Sequence, residues 1–234
     1  MSRSAEQEGA GQTPRVDVLI PAFDEAPYVG TVVRAALAAG TGRVLVVDDG
    51  STDGTSQTAT AAGAEVLTLP ENRGKGGALH AGAAALTSEV IVMLDADLVG
   101  LEPEHVMALA APVLEGRAEM TRGAFEGGRW TTTTAQHVAP QLSGQRAVKR
   151  SLLLGVPGLA ESRYGVEVAI TFHAADAGWR CLNVPLPGVS QIMKEEKRGF
   201  WRGARVRVRM YLDILRAMTH RRRAPRHRGE RNWR

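Results

Sequence analysis

Val44-Leu45-Val46-Val47-Asp48-Asp49-Gly50-Ser51 and Val90-Ile91-Val92-Met93-Leu94-Asp95-Ala96-Asp97 each run an apolar strand straight into paired carboxylates. A buried strand has no reason to end in two acidic groups unless a cation, or a ring of donors, sits just beyond it. The Asp-x-Asp spacing of Asp95 and Asp97 can reach a divalent cation. Hard ions such as Mg²⁺ take carboxylate and phosphate oxygens together, so such a cation would bridge to a diphosphate. Each cluster alone can be read as turn or cap residues, because Asp favours both settings. Two clusters at successive strand ends make that the weaker account.

The surrounding sequence alternates strand and helix. Val16-Asp17-Val18-Leu19-Ile20 is a short apolar run that Pro21 closes. From Ala26 to Ala39 apolar residues recur at helical spacing, and Gly40 suits a C-cap. A strand from Arg43 to Val47 follows, then a helix capped by Thr52 or Asp53 and running to about Ala62. Ala64 to Leu69 reads as a strand, Gly74 to Leu86 as a helix and Val90 to Leu94 as a strand. This alternation predicts an α/β fold, a mostly parallel Rossmann-like sheet flanked by helices. Beyond it, Met120 to Phe125 reads as a strand and Thr132 to Val138 as the start of a helix. Ser143 to Leu154 is mixed, Gly165 to Ala177 is a helix ended by Gly178, and Trp179 to Leu186 is a strand.

Ligands of open α/β sheets bind outside the carboxyl ends of the strands. Here those ends run into Pro21-Ala22-Phe23-Asp24-Glu25, Asp48-Asp49-Gly50-Ser51, Asn72-Arg73-Gly74-Lys75-Gly76 and Asp95-Ala96-Asp97. The third segment joins a strand to a helix, where glycines let backbone amides approach an anion and Arg73 and Lys75 add charge. Its spacing matches neither the P-loop nor Gly-x-Gly-x-x-Gly, since Leu79 stands in the third glycine's place. Asp48-Asp49 beside Pro21-Ala22-Phe23 can read the N–H of a nucleobase such as uracil; a purine or a ribose would make the same demand.

Charge is divided along the chain. Residues 194–234 hold 15 Lys or Arg against 4 Asp or Glu, whereas the first 193 residues hold 14 against 21. Residues 1–14 read as a disordered leader, 15–198 as the folded domain, and 199–234 as a basic amphipathic helix with an Arg-rich tail. Trp201, Ala204, Val208, Tyr211, Leu215 and Met218 recur at helical spacing, with Arg202, Arg205, Arg209 and Arg216 around them. Such a helix either anchors at an anionic membrane surface or lays its apolar stripe on the domain or on a second subunit of a homodimer. The single cysteine, Cys181, excludes an internal disulfide and fits a reducing, cytoplasmic compartment. No secretory signal or bilayer-spanning apolar run is visible.

Four motifs over Val18 to Leu98 together resemble the nucleotide-binding half of family 2 glycosyltransferases of the GT-A fold. They are Ile20-Pro21-Ala22-Phe23-Asp24-Glu25, Val47-Asp48-Asp49-Gly50-Ser51-Thr52-Asp53-Gly54-Thr55, Asn72-Arg73-Gly74-Lys75-Gly76 and Asp95-Ala96-Asp97, with Asp24 where that family usually has Asn. The resemblance implies a hexosyltransferase using a nucleotide-diphosphate sugar of the UDP-glucose kind and Mg²⁺ or Mn²⁺. It implies a donor site of Pro21, Ala22, Phe23, Glu25, Asp49, Gly74, Lys75, Asp95, Ala96 and Asp97, in residues 15–100. Asp49 would contact the base, Lys75 the diphosphate, and Asp95 and Asp97 the metal.

Residues 101–198 form the irregular acceptor-binding half on this reading. Gly127-Gly128-Arg129-x-Thr131, Pro140-Gln141-Leu142-Ser143-Gly144-Gln145, Tyr164-Gly165-Val166-Glu167 and Pro187-Gly188-Val189 resemble, in order, segments of glucosyl-3-phosphoglycerate synthases. That likeness implies that Gly128, Arg129 and Thr131 hold an acceptor's phosphate and that Glu167 faces the transferred sugar, with Glu167 and Asp97 catalytic. The stretch from Thr131 to Pro140 is much shorter than in that group, and Ser190-Gln191-Ile192-Met193-Lys194 carries no histidine to complete the metal site as theirs does. A polyprenyl-phosphate acceptor is the alternative. His80, His105, His137 and His173 read as surface or packing residues. A sugar nucleotidyltransferase would want a Gly-rich loop directly after the first strand, which Pro21-Ala22-Phe23-Asp24-Glu25 does not offer. A nucleic-acid-binding module leaves Asp95 and Asp97 without a role.

Overall fold

Short runs of Val, Leu and Ile make the central strands because both of their faces are covered, a setting that rewards continuous apolar sequence over alternation. The computed structural model describes residues 16–126, 143–163 and 165–191. In it β1 (Val16–Ala22), β2 (Val44–Asp48), β3 (Glu65–Thr68) and β4 (Val90–Met93) pair in parallel. The crossovers carry α1 (Val29–Ala38), α2 (Thr55–Ala61) and α3 (Gly74–Ala85). Val18, Ile20, Val46 and Val92 point to one face, against Val29, Val32 and Val33 of α1. Their neighbours Leu19, Leu45, Val47, Ile91 and Met93 point to the other, against Ala78, Leu79 and Ala83 of α3.

Pro21 does not close β1; the strand runs on through Ala22. Leu19 accepts from Leu94 N on the β4 side, so Pro21, two residues on, turns its missing N–H to that same side. The β1–β4 pairing ends at Leu19 and Met93, and no donor is required there. At α2 the N-cap position falls to Gly54 at φ +88°, not to Thr52 or Asp53. Asp53 instead accepts from Thr55 N at 3.0 Å and from Ala26 N at 3.0 Å, tying two loops together.

The second half adds β5 (Leu98–Val99), α4 (Pro103–Leu114), β6 (Met120–Glu126), β7 (Arg146–Lys149), α5 (Arg150–Leu154), α6 (Val166–Asp176), β8 (Cys181–Pro187) and β9 (Ser190–Gln191). The sheet order is β3-β2-β1-β4-β7-β6-β8, with β7 antiparallel to both neighbours and β6 parallel to β8. β5 and β9 form a separate antiparallel ladder. The sequence reading assigns no helix between Leu98 and Met120, yet α4 forms there. Pro103 opens it, where the absent N–H costs nothing, and a Glu102–His105 capping box holds its start. The mixed stretch 143–154 resolves into β7 and α5. The expected helix at 132–138 and the basic segment 199–234 lie outside the described residues. Among the described residues no helix is long and apolar enough to cross a membrane.

One ion pair joins the start of β6 to the start of β8. Arg180 donates to Glu119 through its backbone N at 2.8 Å, Nε at 3.1 Å and Nη2 at 2.7 Å. These bonds hold the Glu119 carboxyl down at about 2, against an ordinary 4.5. A depressed carboxyl stabilises the fold fully above its unfolded pKa and loses that contribution as pH falls from 4.5 towards 2. Thermal unfolding of Glu119→Gln is therefore expected to show a small deficit at pH 7 that narrows steadily below pH 4.5. A deficit that is constant from pH 7 to pH 3 would assign the stabilisation elsewhere.

Candidate active site

The loops after β1 and β2 are built by their own carboxylates. Asp48 accepts from Ser51 N at 2.8 Å and from the Ser56 hydroxyl, shaping the turn rather than facing a ligand. Asp24 sits at φ +53°, in the left-handed region that Asn and Asp tolerate best, which explains how either residue serves here. It accepts from Thr52 N at 3.0 Å while its own N–H reaches Ser51 Oγ at 2.9 Å. Glu25 N donates to Thr55 Oγ1 at 2.9 Å. Pro21, Phe23 and Glu25 are half-buried beside this stitched edge.

Asp49 takes a different role. Its carboxylate accepts from Arg73 N at 2.7 Å and Gly74 N at 2.8 Å, so it fastens the start of α3 to the end of β2. Burial pushes its pKa up, against the pull of those two amides. Two donors occupy about half of a carboxylate's accepting capacity, leaving lone pairs for a further N–H.

The glycines after Arg73 differ from the anion cradle read in the sequence. The amides of Arg73 and Gly74 are engaged by Asp49, and Gly76 N donates to Ser162 O at 2.9 Å. A Cβ at Gly74 would stand 2.6 Å from Arg163 Cα, and one at Gly77 2.6 Å from Arg73 Cβ. The glycines are small because the 159–163 segment packs directly on the helix start. Positive charge at this edge comes from side chains, Lys75 and Arg163 among them.

Lys75 is the centre of the site. Its Nζ donates to Asp95 Oδ1 and to Glu167 Oε1, each at 2.5 Å. Its side chain is 27% exposed. Burial alone would lower its pKa, but the Asp95 and Glu167 charges outweigh that and raise it above the ordinary lysine value. Asp95 Oδ2 also accepts from Gln145 Nε2 at 2.8 Å and from Gln191 Nε2 at 3.2 Å. The Gln191 amide reaches Asp97 Oδ1 at 2.8 Å as well, bridging both carboxylates of the Asp-x-Asp pair. Asp97 is 4% exposed, and Ala96 between them packs into the core.

Two carboxylates, those of Asp95 and Glu167, thus hold one ammonium, with the Arg146 guanidinium behind them. Arg146 is 1% exposed and donates from Nε to Ser143 O at 2.8 Å and from Nη2 to Glu167 O at 3.1 Å. Burial pulls its pKa down to about 10, opposed by Glu167. It stays charged at neutral pH. The register Met93 to Arg146 of the β4–β7 ladder sets Gly144 and Gln145 against Asp95. A Cβ at Gly144 would lie 2.5 and 2.6 Å from the Asp95 oxygens and 2.7 Å from Lys75 Nζ. Gly144→Ala is therefore expected to part Lys75 from Asp95 and to cost roughly 10²-fold in activity, as misplacement of reacting groups does. A kcat/KM equal to wild type would show that this contact is dispensable.

Of the expected site residues, the fold brings together Lys75, Asp95, Asp97 and Glu167, and joins Asp49 to Gly74. Gly128, Arg129, Thr131 and Tyr164 lie outside the described residues. Sequence reasoning missed Gln145, Arg146 and Gln191 as site residues. Arg146 carried one signal, an arginine entering an apolar strand; Gln191 carried a faint one, its place in the stretch Ser190-Gln191-Ile192-Met193-Lys194 where the resembling group completes its metal site.

The model of Glycosyl transferase family 2 matches residues 17–164. A glucosyl-3-phosphoglycerate synthase of Mycolicibacterium paratuberculosis is 32% identical over 210 residues, which cover 74% of this chain and 63% of that protein. The chain thus spans less than two thirds of that relative's length. The synthase of Mycolicibacterium smegmatis is 30% identical over 223 residues, covering 80% of this chain and 71% of that protein. An uncharacterized glycosyltransferase of Mycobacterium tuberculosis is 31% identical over 217 residues, covering 86% and 97%. Among solved structures, the Mycobacterium tuberculosis glucosyl-3-phosphoglycerate synthase in complex with Mn²⁺, uridine-diphosphate and phosphoglyceric acid superposes with a TM-score of 0.73 at 25% identity. That match covers 92% of this chain and 80% of that one. The same enzyme with Mn²⁺ and UDP-glucose gives 0.66 at 27% identity, over 77% and 72%.

Proposed function

This chain belongs to glycosyl transferase family 2, and we propose from that premise that it moves a hexose from a nucleotide-diphosphate sugar of the UDP-glucose kind to a phosphate-bearing acceptor such as phosphoglycerate. The observation that carries the reading is the Lys75 ammonium held between Asp95 and Glu167 at the carboxyl edge of the sheet. The solved relatives bound to UDP-glucose, Mn²⁺ and phosphoglyceric acid support it.

The donor lies across the loops of Pro21–Glu25, Asp49, Gly74–Lys75 and Asp95–Asp97. Remaining lone pairs on Asp49 accept from the base, and Lys75 sits where the diphosphate departs. Asp95 and Asp97 would hold Mg²⁺ or Mn²⁺: oxygen donors in a net-negative cluster suit a hard cation. Among the described residues no three His, Cys, Asp or Glu stand together at ligating spacing. The bound cation would supply positive charge to the diphosphate. The bond from the anomeric carbon to the diphosphate breaks with its electron pair leaving on the phosphate oxygen. The acceptor hydroxyl oxygen bonds to that carbon, and its proton goes to the departing diphosphate or to solvent. Lys75 favours this step because its charge meets the negative charge growing on the leaving group. Glu167 holds Lys75 in place and faces the sugar.

The test is a thermal-shift panel of nucleotide sugars with and without Mn²⁺. A ligand at 100 times its Kd adds about 2.7 kcal/mol of stability by mass action. UDP-glucose with Mn²⁺ is expected to raise the Tm, and Asp97→Ala to remove the metal-dependent part. No shift with any nucleotide sugar would end the reading.

A polyprenyl-phosphate acceptor at a membrane surface is the second reading, favoured by the short stretch from Thr131 to Pro140 and the basic, apolar-striped segment 199–234. Removing residues 199–234 separates the two. Joint loss of activity and of binding to anionic vesicles favours the lipid; retained activity on phosphoglycerate favours the small acceptor.

A further inference from the structure

Gln191 is exposed on a short edge strand, yet its carboxamide touches both carboxylates of the Asp-x-Asp pair. The fold goes to some length to put it there. The β5–β9 ladder sets Gln191 opposite Leu98, the residue after Asp97. Gly100 lies so close to Gly188 O that no side chain fits between the strands. A residue meant only to cover a loop would not require that approach.

We infer that Gln191 is a third protein ligand of the cation that Asp95 and Asp97 hold, binding through its side-chain oxygen. The inference rests on the metal-dependent reading above. Its geometric basis is the distance of the carboxamide from the two aspartates. Neighbouring oxygens on an octahedral ion with bonds of about 2.1 Å stand about 3 Å apart. Gln191 Nε2 lies 2.8 Å from Asp97 Oδ1 and 3.2 Å from Asp95 Oδ2. As placed, the amide donates to both carboxylates. A half turn about its terminal bond exchanges Nε2 for Oε1 at nearly the same point, so the side chain needs no further movement to coordinate. The resulting ligand set is all oxygen, which suits Mg²⁺ and Mn²⁺ over softer ions.

The experiment titrates Mn²⁺ into the full chain at fixed UDP and follows the free-ion signal by electron paramagnetic resonance. Gln191→Ala removes both amide functions; Gln191→Glu keeps an oxygen and removes the donor. The expected result is a loss in Mn²⁺ affinity of at least about 10-fold for Gln191→Ala, with Gln191→Glu binding as tightly as wild type or tighter. If Gln191→Ala binds Mn²⁺ as wild type does, the residue is not a ligand. If Gln191→Glu weakens as much as Gln191→Ala, the group acts as a donor and the inference also fails. If wild type itself takes up no Mn²⁺ with UDP, the metal-dependent reading falls first. Thermal unfolding of each variant without metal checks that a lost signal is not a lost fold, since Gln191 lies at an exposed edge.

Discussion

Lys75→Met is expected to lower kcat/KM by roughly 10²–10³, the range seen when a single preorganised charge-stabilising donor is removed. Methionine keeps the unbranched stem and deletes only the ammonium. Asp95 and Glu167, both bonded to Nζ at 2.5 Å, would then face the diphosphate as unneutralised charge. The loss should fall mostly on kcat, because Lys75 meets charge that grows on the leaving group rather than charge already present in the bound donor. The pair is partly solvated, with side-chain exposures of 27%, 13% and 20% for Lys75, Asp95 and Glu167. Its stability contribution should therefore be about 1 kcal/mol, between the exposed and buried limits. A large activity loss with a small change in Tm is the signature. A variant within about threefold of wild type on kcat would remove Lys75 from the reaction.

Arg146→Met is expected to do the reverse, costing stability first. The guanidinium, 1% exposed, serves Ser143 O and Glu167 O at once and so braces the two segments that carry Gly144 and Glu167. Methionine fills much of the same space but leaves Ser143 O without this donor, while Glu167 O keeps the Thr171 hydroxyl at 2.7 Å. A carbonyl left unpaired costs about 1–3 kcal/mol, so a loss of roughly 2 kcal/mol is expected. For a chain of this size that is a drop of about 4–8 °C in Tm. Arg146→Lys should recover only part of the loss, because an ammonium lacks the planar fork that spans two acceptors. An unchanged Tm for Arg146→Met would mean that Ser143 O finds another donor. Residual activity at low temperature should survive better than in Lys75→Met, since Arg146 acts on the site through Glu167 and Ser143.

The glycines after Arg73 show how a correct location can carry a wrong reason. Their place at a strand-to-helix turn beside Lys75 is legible from sequence. Their purpose is not, because small residues serve equally to admit an anion or to admit another segment of chain. Only the 159–163 segment lying on Gly74 and Gly76 decides between the two. Pro21 is similar. A proline ends a strand only if its missing N–H faces a partner, and that depends on where β4 stops.

By itself the sequence determined the parallel half of the sheet, the helices between its strands, and the line of Asp49, Lys75, Asp95 and Asp97 along one edge. Each of these is written in local periodicity or in what directly follows an apolar run, and burial on two helix-covered faces reads such runs in one way. The tertiary structure alone decided that Lys75 meets Glu167, 92 positions later, that antiparallel β7 sets Gly144 and Arg146 beside Asp95, and that Gln191 bridges Asp95 and Asp97. Such pairings depend on strand order, ladder register and the path of connecting loops. Those are settled by the packing of the whole core, and no local stretch of residues encodes them.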